Sequence, residues 1–125
     1  MNCKDDREWE RRVTRRSRKA LEAAISESTT AAGRARAYYE LGLFHDNNGR
    51  EAAAIPCYEA ALALGLDAAT RARCLAWLAS SLYKTGRPAE AMSRASEAET
   101  LATDVKLSRF LRGLKRRIAR TAFIP

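Results

Sequence analysis

The chain has 125 residues, a formal net charge of +8 and a hydrophobic fraction of 46%. This length predicts a single domain, which should bury about two-thirds of the surface that the unfolded chain exposes. No stretch approaches the roughly 20 apolar residues of a membrane span, and the first residues are charged where a secretory signal would be apolar. We therefore expect a cytoplasmic protein without a transmembrane segment.

The residue types that most often carry chemistry are scarce. Cys3, Cys57 and Cys74 are odd in number and widely spaced, and His45 is the only histidine, so the sequence predicts neither a disulfide framework nor a metal site. Phosphate-binding glycine loops and nucleotide fingerprints are absent from the sequence. We expect no enzyme activity and no cofactor.

Basic residues are concentrated at the two ends of the chain. Residues 35–104 hold seven basic and nine acidic residues, whereas the segment after Asp104 holds seven basic residues and no acidic one. A second basic cluster lies within residues 11–19. Either end is therefore a candidate surface for an anionic partner.

Hydrophobic periodicity predicts an all-α chain of about six helices. In chain order they are 5–28, 31 or 33 to 47, about 50 to 64, 67 to about 84, 88–101 and 104–120. Asp67 is placed as an N-cap, and Pro88 suits a first helical turn, where no hydrogen bond is lost. Pro56 lies inside the third helix and predicts a bend or an irregular first turn there. His45 lies on the inward face of the second helix, so we expect it to be part of the core.

The second and third helices are repeated in the fourth and fifth. A shift of 37 residues places Gly49 on Gly86, Arg36 on Arg73 and Leu41 on Leu78. The first copy also carries an aromatic and a Leu-Gly pair before the glycine turn, followed by Ala, an aromatic and Ala after it. These residues are Tyr38, Leu41, Gly42, Gly49, Ala54, Tyr58 and Ala61.

This pattern resembles the tetratricopeptide repeat, and the runs AIPCYEAALALGLD and CLAWLASSLYKTGRPAEAM look similar to a small bacterial group within that superfamily. The resemblance covers residues 35–101 and implies a right-handed superhelical stack of antiparallel helix hairpins. It assigns 35–68 to a first repeat and 72–102 to a second. Helices 5–28 and 104–120 would cap the stack, and a homodimer burying one end is the alternative.

The resemblance also implies a protein or peptide partner, bound in a concave groove lined by the first helix of each repeat. Arg36 and Arg73 would suit an acidic partner. The groove candidates are Arg36, Tyr39, Leu43, Asp46, Asn47, Arg73, Ser80, Tyr83 and Lys84. An alternative is that these residues form only a solvated helix face.

A second hypothesis concerns the basic ends, which would contact the phosphates of a nucleic acid. Its candidate residues are Arg11, Arg15, Arg16, Lys115, Arg116, Arg117 and Arg120. The alternative is a solvated outer face of the terminal helices, which repeat proteins need at their ends.

Overall fold

The structure is a computed structural model, and it describes residues 17–122. This part of the chain contains six helices and no strand, which confirms the predicted all-α fold. The helices are α1 (Arg18–Glu27), α2 (Ala31–Asn47), α3 (Glu51–Leu64), α4 (Ala68–Lys84), α5 (Pro88–Leu101) and α6 (Val105–Ala122). The predicted first helix begins at residue 5, so its residues 5–16 lie outside the described range.

Three helices begin at N-cap side chains that are 37 residues apart. Thr30 accepts a hydrogen bond from the Gly33 N–H at 3.0 Å, and Asp67 accepts one from the Thr70 N–H at 2.9 Å. Asp104 accepts one from the Lys106 N–H at 3.1 Å. These bonds satisfy donors that the first turn of a helix leaves unpaired. Helix α6 thus begins at the same interval from α4 as α4 does from α2.

Two glycine turns close the helix hairpins α2–α3 and α4–α5. The Arg50 N–H donates to the His45 carbonyl at 2.9 Å, and the Arg87 N–H donates to the Leu82 carbonyl at the same distance. Gly49 and Gly86 have φ angles of 72° and 81°, the left-handed conformation that this Schellman arrangement requires. The two turns are 37 residues apart, like the N-caps.

The chain divides into two compact units, one ending at Leu66 and the other beginning at Asp67. In the first unit, α2 packs against α1 and α3. Gly42 lies directly on the Tyr58 ring, and a Cβ at this position would be 2.5 Å from Tyr58 Cε1. Glycine at position 42 therefore allows α2 and α3 to approach closely. Helix α3 continues through Pro56, which is exposed.

In the second unit, α4 packs against α5, and α6 packs against both. Small residues fill the inward face of α5, where Ala91, Ala95 and Ala98 are completely buried. The inward face of α6 is larger and consists of Leu107, Leu111, Leu114 and Ile118. Within this unit, α6 therefore covers apolar surface of the α4–α5 hairpin, as expected for a terminal helix. Whether the two units act as one domain over residues 1–125 stays a prediction.

Among the described residues, no helix is both long enough and apolar enough to cross a bilayer.

Two glycine substitutions should change stability in opposite directions. Gly86→Ala should lower the free energy of unfolding by about 1–2 kcal/mol, because an L-residue is strained at positive φ. Gly113→Ala should raise it by about 0.5–1 kcal/mol, because Gly113 lies inside α6 and an added Cβ would meet no atom within 4 Å. Urea unfolding followed by circular dichroism measures both. Equal effects of the two variants would contradict the conformational assignment of Gly86.

Candidate partner-binding surface

Helices α2 and α4 carry equivalent stripes of residues along one face. Each stripe has the spacing i, i+4, i+7, i+11, which keeps its members on the same side of a helix. The stripe of α2 consists of Arg36, Glu40, Leu43 and Asn47, and the stripe of α4 consists of Arg73, Trp77, Ser80 and Lys84. The shift of 37 residues relates the two stripes position by position.

The stripe of α2 is polar at its ends and buried near its centre. Arg36 and Asn47 are exposed, whereas Leu43 is only 4% exposed. The Asn47 side chain donates a hydrogen bond to the Leu43 carbonyl at 2.9 Å, next to the end of the helix. Of the sequence-predicted residues on this stripe, Arg36 and Asn47 are accessible to a partner, and Leu43 is part of the core.

Two further predicted groove residues of α2 are held by α3. Tyr39 is 1% exposed, and the centroid of its ring lies 6.1 Å from that of Tyr58. The Tyr58 hydroxyl donates a hydrogen bond to Asp46 Oδ2 at 2.8 Å. The Tyr39 side chain and the Asp46 carboxylate thus contribute to the packing of the first unit, with Asp46 half-buried at its edge.

Two residues of the α4 stripe and one residue of α6 form a half-buried cluster of one cation and two aromatic rings. The guanidinium carbon of Arg73 lies 5.5 Å from the centroid of the Trp77 ring, within the range of a cation–π interaction. Trp77 also meets Phe110 of α6 edge to face, with 5.2 Å between ring centroids. We call Arg73, Trp77 and Phe110 the α4–α6 cluster.

The remaining predicted residues of α4 lie along the same helix. Ser80 is half-buried and Lys84 is exposed. Tyr83 is half-buried, and its hydroxyl lies 3.2 Å from the Thr121 hydroxyl of α6. Tyr83 therefore helps to hold α6 against α4, at the opposite end of α4 from Arg73.

Trp77 and Phe110 are not among the sequence-predicted surface residues. Trp77 occupies the stripe position between Arg73 and Ser80, so the spacing alone could have identified it. The spacing of Phe110 places it next to the apolar face of α6, and its contact with Trp77 depends on how α6 packs against α4. That contact could not be read from local periodicity.

The basic residues of the alternative site have different environments. Lys115 forms an ion pair with Glu99 of α5, with 3.0 Å between Nζ and Oε1, whereas Arg116, Arg117 and Arg120 are exposed. A cleft of about 680 Å³ is lined by Glu99, Arg109, Arg112, Lys115 and Arg116. Arg11, Arg15 and Arg16 lie outside the described residues.

The side chains that could support catalysis or metal binding are buried or dispersed. His45 is 5% exposed, which confirms its predicted place in the core, and its Nδ1 accepts a hydrogen bond from Arg50 Nε at 3.3 Å. Burial raises the pKa values of the Cys57 and Cys74 thiols, so neither forms a thiolate readily at neutral pH. Within residues 17–122, no group of His, Cys, Asp and Glu side chains could hold a metal ion.

Comparison with known families agrees with this repeat geometry. A family model described as tetratrico peptide repeat matches residues 35–116, which is more than half of the chain. The chain belongs to the tetratricopeptide repeat family. No curated protein and no solved structure matches it significantly.

The extent of the family match agrees with the spacing of the N-caps. The sequence resemblance ended at residue 101, whereas the match continues through residue 116 and includes the first 12 residues of α6. Helix α6, predicted only as a cap, is thus partly within the tetratricopeptide match. Tetratricopeptide repeats generally mediate protein–protein interactions, so a binding surface is the expected functional feature.

His45 makes stability depend on pH. Burial and the nearby positive charge of Arg50 lower its pKa from the ordinary value of 6.5. The unfolded chain therefore binds this proton before the folded chain does, and stability present above about pH 6.5 should be lost as the pH falls below that value. The His45→Gln variant should lose less stability than the wild type between pH 6.5 and about 5 in urea titrations. Parallel pH profiles for the two proteins would contradict this role of His45.

Proposed function

We propose that this tetratricopeptide repeat protein is an adaptor that binds a protein or peptide partner through the first helix of each repeat, α2 in the first unit and α4 in the second. No catalytic step and no cofactor are part of the proposal. The compartment that we propose is the cytoplasm, because Cys57 and Cys74 are free thiols, which are typical of reducing compartments.

The α4–α6 cluster is the observation that carries the proposal. Trp and Arg are enriched among the residues that dominate binding energy at protein interfaces. Trp77 is half-exposed although it is the largest side chain on the outer part of α4, and Phe110 fixes its ring from one side. A ring that is already fixed loses little conformational entropy when a partner covers it.

The charge of the two stripes favours an acidic partner. Arg36 and Arg73 occupy equivalent positions in the two repeats, with Arg36 exposed and Arg73 half-buried. A guanidinium group can bind a carboxylate through two parallel hydrogen bonds, which a lysine ammonium cannot do with the same geometry. We therefore propose that Asp or Glu side chains of the partner contact Arg36 and Arg73, and that an apolar side chain contacts Trp77.

Each unit has its own proposed surface, formed by exposed or half-buried members of its stripe. The surface of the first unit consists of Arg36 and Asn47, with Asp46 at its margin. The surface of the second unit consists of Arg73, Trp77, Ser80 and Lys84, with Tyr83 at its margin. Tyr39 and Leu43 are not included, because their side chains are almost completely buried.

The test is selection of peptides from a displayed random library with the wild-type protein, followed by affinity measurement on synthetic copies of the enriched peptides. We expect the enriched peptides to be rich in Asp and Glu. The double variant Arg36→Glu/Arg73→Glu should bind them at least about ten-fold more weakly, which corresponds to about 1.4 kcal/mol. Trp77→Ala should cause a loss of similar size, because the ring contact is removed.

The matched control is Lys19→Glu/Arg71→Glu, which makes the same change in charge with one residue in each unit. Lys19 is exposed on α1, and Arg71 lies on α4 outside the stripe. Measurements at about 0.15 M salt reduce the influence of distant charges. Equal losses in the two double variants, or enrichment of peptides without acidic residues, would rule out Arg36 and Arg73 as the acid-binding residues.

A further inference from the structure

Helix α6 carries a positive charge that the described part of the chain does not neutralise. Val105–Ala122 contains seven basic residues and no acidic one, and only Lys115 has an ion pair with a described residue. The side chains of the other six form no hydrogen bond or ion pair within residues 17–122, and all six are exposed. They are Lys106, Arg109, Arg112, Arg116, Arg117 and Arg120.

Three basic residues elsewhere in the described chain have an acidic partner three or four residues away. Arg18 pairs with Glu22 in α1, Arg94 pairs with Glu97 in α5, and Arg87, which immediately precedes α5, pairs with Glu90 of that helix. The absence of such acidic neighbours on α6 is thus a property of this helix. Residues 67–122 as a whole hold twelve basic and five acidic residues.

The six unpaired bases lie on one continuous face. At about 100° per residue, they cover an arc of roughly 140°, opposite the buried residues Leu107, Leu111, Leu114 and Ile118. We call this arc the α6 basic face. Gly113 lies near its middle, where it contributes no side chain and leaves the helix backbone accessible.

This arrangement does not stabilise the helix by itself. Arg112, Arg116 and Arg120 are four residues apart, and like charges at this spacing repel each other. Lys106 and Arg109 lie in the first turns, where the helix dipole disfavours positive charge. Binding of an anionic ligand would relieve both effects.

We propose that the α6 basic face binds the phosphate backbone of a nucleic acid without reading its sequence. Arg109, Arg112 and Arg116 are the central contacts, because they share one side of the helix and line the cleft beside α5. Glu99 also lines this cleft, and its ion pair with Lys115 offsets the repulsion between its carboxylate and a phosphate. This function is separate from peptide binding by the stripes of α2 and α4.

The composition of the face favours phosphates over the other anionic partners. Protein interfaces usually have an apolar or aromatic centre with few charges, and membrane-binding helices insert apolar side chains. The α6 basic face has neither between Arg112 and Arg117, and Phe110 at its border is in contact with Trp77. A phosphate backbone requires only positive charge. Among the described residues, this face has no available aromatic ring on which a base could stack, so no sequence preference is expected from them.

The direct test is fluorescence anisotropy with labelled DNA of about 20 nucleotides, as a duplex and as a single strand, in two unrelated sequences, over about 50 to 200 mM salt. We expect binding to both sequences with similar affinity, and a steep decrease in affinity as the salt concentration rises. A polyglutamate of similar charge, used as a competitor, distinguishes phosphate binding from the binding of any acidic chain. We expect the polyglutamate concentration needed to displace half of the labelled DNA to be at least about ten times that of unlabelled DNA.

The variant Arg109→Gln/Arg112→Gln/Arg116→Gln should lower the DNA affinity at least ten-fold at the lowest salt. It should also reduce the slope of log affinity against log salt by up to about 3, because each phosphate contact contributes about 0.9. Substitution of the same three residues by Lys should preserve most of the binding, since a point charge suffices for a phosphate contact. Thermal unfolding of the Gln variant should show no loss of stability, because repulsion within α6 is reduced.

The matched control is Arg71→Gln/Arg87→Gln/Arg94→Gln, which removes three positive charges from the same unit but outside α6. We expect it to change the DNA affinity less than about three-fold, as a net-charge effect alone would. Equal losses in the two triple variants would overturn the assignment to α6. Absence of DNA binding by the wild type, affinity that does not depend on salt, or competition by polyglutamate as strong as that of DNA would overturn the nucleic-acid proposal.

Discussion

The glycines in left-handed conformation at the ends of α2 and α4 determine how the two helices of each hairpin pack against each other. Gly49 and Gly86 allow the chain to reverse within a few residues, and the Schellman hydrogen bonds fix the start of the next helix relative to the end of the previous one. Small residues on the two helices of a hairpin then allow their backbones to pack closely. Gly42 against Tyr58 in the first unit and the alanines of α5 in the second are consequences of this hairpin geometry.

The same packing decides which side chains remain for binding. In the first unit, the approach of α3 to α2 covers Tyr39 and leads Tyr58 to hydrogen-bond Asp46 at the edge of the hairpin. In the second unit, α6 supports Trp77 from one side without burying it. Equivalent positions on α2 and α4 therefore have different properties: Glu40 and Leu43 on one helix, Trp77 and Ser80 on the other. The two repeats share a backbone arrangement and present different surfaces.

Much of the fold could be predicted from the sequence because its determinants are local. The N-caps Thr30 and Asp67, the glycine turns and Pro88 lie within a few residues of the helix ends that they define, and the burial of His45 follows from its position on an apolar stripe. The surface was harder to predict. Whether Tyr39 is exposed depends on α3, and the contact of Trp77 with Phe110 joins residues of two different helices. Asp104 shares the capping position of Thr30 and Asp67, but the other side chains of α6 differ from those of α2 and α4, so the sequence pattern did not extend to this helix.

The equal spacing of Thr30, Asp67 and Asp104 also bears on how such a chain can change in length. Each interval contains one complete hairpin and ends on a capping residue, so duplication or deletion of one 37-residue segment joins a helix start to an equivalent helix start. The junction needs no additional turn or capping residue, because each segment contains its own N-cap and glycine turn. Duplication or deletion of one such segment therefore preserves the helix boundaries on both sides of the junction.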